Sequence, residues 1–248
     1  MRIAVAGGTG TVGRQVADVA EDRGHEVVVL SRARGVDLVA GTGLDAVLHG
    51  VDAVVDVASV MTQSGEESVR FFRAVTTNLL AAEARVGVSH HVALSVVGID
   101  HAPVGYYAGK VVQEELVTAG PVPWTLLRAT QFHEFAGQLH GQLAFGPVHP
   151  VPVMRSQPVA AREVAERLVA LVEAGPAGRA RDLAGPEVLR MTAMVRRYAR
   201  ATGRGGVVLP VPMPGRLGRV FRDGSLTAGP DADLGVQTFA RWITALTR

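Results

Sequence analysis

The sequence predicts an α/β fold class: a Rossmann-like, doubly wound parallel sheet followed by a smaller C-terminal region. Two observations carry this. Over roughly the first 130 residues, short β-branched runs alternate with longer helical patterns. Those runs are almost continuously apolar, as strands covered on both faces are. A third observation is local: a glycine triplet sits where the first strand gives way to the first helix.

Strands are predicted from "RIAVAG" at Arg2, "EVVVL" at Glu26, "DAVVDVAS" at Asp52, "HVALSVV" at His91 and "WTLLRA" at Trp124. Helices are predicted over 11–23, 44–48, 66–85 and 105–119. Within 66–85, Val69, Phe72, Leu79, Leu80 and Ala82 recur near helical spacing, and the pair Phe71-Phe72 reads as core. After about Gly141 the pattern loosens. The proline-bounded stretches "FGPVHPVPVM" and "VVLPVPMPG" separate helix-like segments at 160–174, 191–202 and 236–247. The chain thus divides softly into 1–145 and 146–248, with strands free to cross back.

Composition excludes several classes. Hydrophobic residues make up 48% and charged residues 19%, the balance of a soluble globular protein. Net charge is only +2 and the arginines are scattered, so the pI near 9.5 reflects a small arginine surplus rather than a face for nucleic acid. The absence of cysteine excludes disulfides, thiolate nucleophiles and cysteine-ligated zinc. The opening "MRIAVAGG" reaches glycine at Gly7, too soon for a signal-peptide core, and no apolar stretch of roughly 18 residues occurs. A cytoplasmic location with no membrane partner is the resulting expectation.

The glycines Gly7, Gly10 and Gly13 recur every third residue in "AVAGGTGTVGR". At a strand-to-helix turn, such spacing lets backbone approach a pyrophosphate while the helix N-terminus supplies N–H groups and the positive end of its dipole. Residues 1–145 are therefore read as a dinucleotide-binding domain. A carboxylate ending the second strand would mark NAD, through the ribose 2′-hydroxyl. Here the strand runs into Ser31, Arg32 and Arg34 with no acid, which predicts a 2′-phosphate and hence NADP(H). Asp37 and Leu38 follow where they would border the adenine.

Of the 25 basic residues, 24 are arginine and one, Lys110, is lysine. Arginine replaces lysine at most solvated positions but not where a compact ammonium must fit a tight site. Lys110 lies four residues after Tyr106, so a helix presents both on one face. A nearby cation favours tyrosinate, which would bring the phenol's proton transfer toward neutral pH.

With "GGTGTVGR", "VLSR", "GVDAVVDVAS", "HVALSVVG", "YYAGKVVQEELV" and "PWTLLRATQFHEF" in this order, the chain resembles the short-chain dehydrogenase/reductase superfamily. It is most similar to the atypical branch of NmrA-like, quinone-reductase-like and isoflavone-reductase-like proteins. The resemblance covers most of 1–145 and continues weakly through "QPVAAREVA" and "DLAGPEVL". It implies that Gly7, Thr9, Gly10, Thr11, Val12 and Gly13 cradle the pyrophosphate and that Arg32 meets the 2′-phosphate. Ala58 and Ser59 would lie along the ribose and diphosphate. Lys110 would bind the nicotinamide ribose or handle a proton itself, and Ala129, Thr130, Gln131 and Phe132 would line the nicotinamide side. Ser95 is the nearest match to the hydroxyl that positions a substrate carbonyl, with Val96 and Val97 following where a second hydroxyl often sits.

Three further features carry expectations. His90 and His91 are adjacent on a strand, so they point to opposite faces and no metal site is expected. Glu114 and Glu115 are expected on the solvated face of the helix that carries Lys110. His133 and Phe135, just beyond a strand's carboxyl end, are expected to contact substrate. The catalytic set is then Tyr106, Lys110 and Ser95. The expected activity is NADP(H)-dependent hydride transfer to a carbonyl, quinone or conjugated double bond of a small, fairly apolar molecule. The C-terminal region would form the substrate side, with a homo-oligomer compatible. The alternative from another class is a non-catalytic regulator of the NmrA-like type that senses NADP(H).

Overall fold

The computed structural model describes residues 1–142 and 144–247. In chain order the elements are β1 (Arg2–Ala6), α1 (Thr11–Asp22), β2 (Glu26–Leu30), α2 (Leu44–Leu48), β3 (Ala53–Asp56), α3 (Gly65–Val86) and β4 (His90–Val96). Next come α4 (Tyr106–Ala119), β5 (Trp124–Ala129), α5 (Phe135–Gln142), β6 (Val148–Pro152), β7 (Arg155–Ser156), α6 (Ala161–Ala174) and β8 (Gly178–Arg179). The chain finishes with β9 (Leu183–Ala184), β10 (Leu189–Arg190), α7 (Met191–Ala201), β11 (Val207–Val211), α8 (Gly215–Asp223), β12 (Asp233–Leu234) and α9 (Phe239–Leu246).

These elements form two compact units that interleave along the chain. The first takes Met1–Arg128 and Arg162–Ala180, and the second takes Ala129–Ala161 and Arg181–Arg248. The chain thus passes between the units after Arg128, Ala161 and Ala180. α6 and β8 return to the first unit because β8 pairs with β5 and Arg162 on α6 bonds Asp22 at the end of α1.

In the first unit the strands run in the order β2-β1-β3-β4-β5, with β8 beside β5. Ile3 to Ala6 register in parallel with Val27 to Leu30 on one side and with Ala53 to Asp56 on the other. Ile3, Ala4, Val5, Ala53, Val54 and Val55 are fully buried, which is why these strands carry no polar alternation.

α3 shows how local sequence sets an element's ends. The Ser64 side chain accepts from the Glu67 N–H at 3.3 Å, and Glu66 and Glu67 lie in the first turn, where the dipole favours anions. Gly87, with φ of 82°, closes the helix in the left-handed conformation. Its buried stripe of Phe72, Val75, Leu79 and Ala82 faces the core, while Phe71 is only partly covered.

Helices α3 and α4 pack closely because Gly109, in the middle of α4, carries no side chain. A Cβ there would lie 2.2 Å from Ser68 Oγ, and 2.6 Å from both the Ser68 carbonyl carbon and Phe72 Cδ2. Ser68 Oγ in turn donates to the Tyr106 carbonyl at 2.8 Å.

The second unit holds β9 and β12 as a parallel pair, with Leu183 of β9 in register with Ala129 at the end of β5. It also contains two-stranded ladders, β6 with β11 in parallel and β7 with β10 antiparallel. α5 and α8 were not predicted: both contain glycines, α5 has little apolar periodicity, and α8 is a short helix that follows the proline-rich stretch ending at Pro214. Among the described residues no helix is long and apolar enough to cross a membrane.

Gly109→Ala should lower the melting temperature, because overpacking typically costs about 1–3 kcal/mol and each kcal/mol shifts a chain of this size by roughly 2–4 °C. Gly141→Ala in α5, where nothing lies within 4 Å of an added Cβ, should be neutral or mildly stabilising. Equal effects of the two substitutions in thermal unfolding would contradict the packing argument.

Candidate functional site

The glycine loop between β1 and α1 is built for close backbone approach. A Cβ on Gly7, whose φ is 80°, would fall 2.7 Å from the Val57 carbonyl oxygen. A Cβ on Gly13 would fall 2.1 Å from the Gly7 carbonyl oxygen and 2.6 Å from Gly8 Cα. The first turn of α1 therefore rests directly on the loop. α1 starts after Gly10 with no side-chain cap and no acid in its first turn, so no side chain of the turn competes with an anion for the opening N–H groups of the helix. This geometry fits a pyrophosphate.

Beside the loop runs a cleft of about 430 Å³ whose lining includes Gly8, Thr9, Arg14, Val29, Ser31 and Arg34. Two arginines, a serine and one acid, Asp18 of α1, face it, and no acid terminates β2. Arg32 and Arg34 form an exposed 3₁₀ turn after β2. Arg14 was missed in the sequence, although it directly follows Gly13; its Nη1 donates to the Thr9 carbonyl at 2.6 Å. Asp37 is occupied locally: the N–H groups of Ala40 and Val39 bond its carboxylate and hold it below the usual carboxylate range. Leu38 packs against the core, and its carbonyl accepts from Asn78 Nδ2 at 3.0 Å.

The Tyr106–Lys110 face of α4 turns inward. Lys110 is 3% exposed, so it is no surface lysine. Its Nζ donates to the Leu94 carbonyl at 2.6 Å and to Gln113 Oε1, and it sits 4.7 Å from the centre of the Phe72 ring. Burial pushes the Lys110 ammonium down to about 8, partly offset by Asp56 and Glu114. The Tyr106 hydroxyl lies 3.0 Å from Ser59 Oγ.

Tyr106 corrects one sequence expectation. Burial raises its phenol above the ordinary range, with Asp56 adding in the same direction and Ser59 opposing. Desolvation and the Asp56 carboxylate, rather than the Lys110 cation, set the direction. Burial likewise raises Tyr107.

The hydroxyl brought to the phenol is Ser59, at the end of the β3 segment, rather than Ser95. Ser95 is buried on β4 and faces the Glu114 carboxylate without a well-formed hydrogen bond. Glu114 is itself a second correction, since it is buried rather than solvated. It accepts from Arg128 Nε at 2.8 Å and Nη2 at 2.7 Å and from Arg179 Nη2 at 3.0 Å. Burial opposes its ionisation, but these arginines hold the carboxyl below its usual range. Glu115 alone stays exposed.

His90 and His91 do point to opposite faces. His90 Nε2 meets Thr125 Oγ1 at 2.8 Å, while His91 Nδ1 meets Glu83 at 2.9 Å in a fully buried pair. Burial lowers His91, but Glu83 more than compensates and its imidazole is held above the ordinary range.

In the second unit, Ala129 to Phe132 leave β5 in a tightly bonded segment. Thr130 Oγ1 donates to the Gln157 carbonyl at 2.5 Å, Gln131 Nε2 to the Leu226 carbonyl at 3.2 Å, and Phe132 bridges Val159. The His133 ring, expected beside substrate, is instead fully buried. Its Nε2 donates to the Gln237 carbonyl at 3.0 Å, and it packs against Phe239 and Trp242 with ring centres 5.6 and 5.7 Å away. Phe135 opens α5 half-buried.

A Rossmann-like unit with this loop and this buried Tyr–Lys helix defines an NAD(P)-binding oxidoreductase of the short-chain dehydrogenase/reductase type. Residues 3–118 match the NAD dependent epimerase/dehydratase family. Over 225 residues the chain is 31% identical to the (4-alkanoyl-5-oxo-2,5-dihydrofuran-3-yl)methyl phosphate reductase of Streptomyces griseus, covering 82% of this chain and 74% of that protein. It is 26% identical over 239 residues to the photosystem II assembly factor Ycf39 of Synechocystis, covering 86% and 71%. Its fold matches an NADPH-dependent quinone oxidoreductase from Escherichia coli with a TM-score of 0.67 at 16% identity, over 99% of this chain and 100% of the other. The chain belongs to the NAD dependent epimerase/dehydratase family, within the atypical short-chain dehydrogenases/reductases.

Proposed function

We propose that this protein is an NADP(H)-dependent reductase acting on a carbonyl, quinone or conjugated double bond of a small molecule. The observation that carries the reading is the inward-facing pair Tyr106 and Lys110 in the same unit as a glycine loop fitted to a pyrophosphate. The loop backbone from Gly7 to Gly13 would hold the pyrophosphate, and Ser31, Arg32 and Arg34 the 2′-phosphate, with Arg14 adding positive charge. Bound NADPH would supply the hydride. Tyr106 would supply the proton to the developing oxyanion or carbanion. A phenol that burial keeps neutral suits donation, which is the reducing direction, and Ser59 steadies the phenolate that donation leaves. Two of the Lys110 N–H bonds serve Leu94 and Gln113, leaving one for a ribose hydroxyl.

Charge distribution supports an anion-binding position in the second unit. The second unit contains twelve arginines against six acids, whereas the first contains thirteen basic residues against seventeen acids. Arg155 and Arg190 stand directly opposite on the β7–β10 ladder, and neither has an acidic partner among the described residues. Like charges so placed are destabilising unless an anion joins them. The Streptomyces griseus relative is named for a phosphate ester.

Three measurements test the reading. NADPH oxidation against quinones, enones, aldehydes and a butenolide methyl phosphate should show turnover at or above ~1 s⁻¹, the low end for ordinary enzymes. Lys110→Arg should abolish it despite conserved charge. Cofactor binding without any turnover would instead identify a sensor of NADP(H). NADPH should bind more tightly than NADH by roughly 10- to 150-fold, the value of a charge-assisted phosphate contact, and replacing Arg32 and Arg34 by Ala should remove most of that difference. Equal dissociation constants in the wild type would refute the preference. Arg155→Gln with Arg190→Gln should weaken binding of inorganic phosphate to the protein about tenfold or more; unchanged phosphate affinity in the double variant would remove the anion argument.

A further inference from the structure

We infer that Asp56, acting through Gln113, holds Lys110 protonated and in place, so that Asp56 and Gln113 are positioning residues for the lysine. The inference rests on the reading that Lys110 serves the cofactor as an ammonium. Its geometry is a continuous buried chain. Lys110 Nζ donates to Gln113 Oε1, Gln113 Nε2 donates to Asp56 Oδ2 at 2.7 Å, and Asp56 Oδ1 accepts from the Ala58 N–H at 3.0 Å. Asp56 is 0% exposed and Gln113 is 1% exposed.

The amide can stand in this chain only one way round. An ammonium has donors alone and a carboxylate acceptors alone, so Gln113 must turn its oxygen to Lys110 and its nitrogen to Asp56. The amide dipole then joins the opposite charges. A lone buried ammonium would shed its proton rather than bear the desolvation cost. The other charged or titratable groups near Lys110 have hydrogen-bonded or buried settings of their own, and only the Glu114 carboxylate among them still favours the ammonium, through space. On its own helix, Glu114 is bound by Arg128 and Arg179, and Tyr106 is kept neutral by burial. On β4, His91 is paired with Glu83 of α3. α3 otherwise presents the Phe72 ring. Asp56 on β3 remains as the counter-ion. Its carboxylate has room because Ala6 and Ala93, its register partners on the two flanking strands, are the smallest chiral residues.

Because Lys110 is the sole lysine, incorporating ¹³C-lysine gives one Cε resonance whose pH titration reads this residue directly. The wild-type midpoint should lie near pH 8. Removing the carboxylate in Asp56→Asn, or the bridge in Gln113→Leu, should lower the midpoint and reduce the ratio of charged to neutral lysine at a given pH at least tenfold. Gln113→Glu, which places an anion beside the ammonium, should raise it. In the active enzyme the alkaline limb of kcat/KM should move with the resonance. Folded Asp56→Asn and Gln113→Leu proteins with an unmoved midpoint would overturn the inference. If Asp56→Asn does not fold, the opposite displacements in Gln113→Leu and Gln113→Glu still decide it. Midpoints that shift as stated in a protein with no turnover would uphold this inference while overturning the proposed reductase.

Discussion

Burying one ammonium is the constraint around which the first unit is arranged. Lys110 needs acceptors, a counter-charge and a close wall, and four elements provide them. β4 lends the Leu94 carbonyl, α4 lends Gln113, β3 lends Asp56, and α3 lends the face of Phe72. Such a wall is close only because Gly109 lets α3 and α4 meet without an intervening side chain. The same meeting ties Ser68 to the Tyr106 carbonyl and so fixes where the phenol begins. Packing and site geometry are therefore one problem in this region.

A second network, buried at Glu114 and open to solvent at Asp100 and Arg179, runs alongside. Arg128 grips Asp100 and Glu114 at once, and Arg179 on β8 reaches the same Glu114. Burial alone would neutralise Glu114; two guanidiniums keep it ionised and hold it, so that it favours the Lys110 ammonium only through space. The separation of these two networks matters. It leaves Asp56 as the carboxylate joined to the lysine by hydrogen bonds, through Gln113, and leaves the Tyr106 hydroxyl to Ser59.

Much of this was readable in the residues. The glycine spacing, the missing acid after Leu30, the lone lysine four residues from Tyr106 and the apolar strands each reflect a local rule that acts within a few residues. The first five strands and α1 to α4 begin and end within a few residues of expectation for the same reason. Other features had only faint signals. Asp56 interrupts an otherwise apolar "AVVDVAS", and Gly109 sits inside a helix where glycine is costly; each could have flagged a specific contact. Gln113 had no signal, because a glutamine three residues beyond a lysine is ordinary on any helix.

By itself the sequence determined the Rossmann-like alternation, the tight glycine turn between the first strand and helix, and the placing of a tyrosine and a lysine on one helix face, because periodicity, glycine geometry and helical spacing operate along the chain. Tertiary structure alone decided what those groups meet. It set Ser59 rather than Ser95 beside the phenol, placed Glu114 inside with two arginines, enclosed the His133 ring among Phe239 and Trp242, and returned α6 and β8 to the first unit. These outcomes depend on contacts between residues tens to more than a hundred positions apart, and burial, which sets the charge states of Tyr106 and Lys110, exists only once those contacts form.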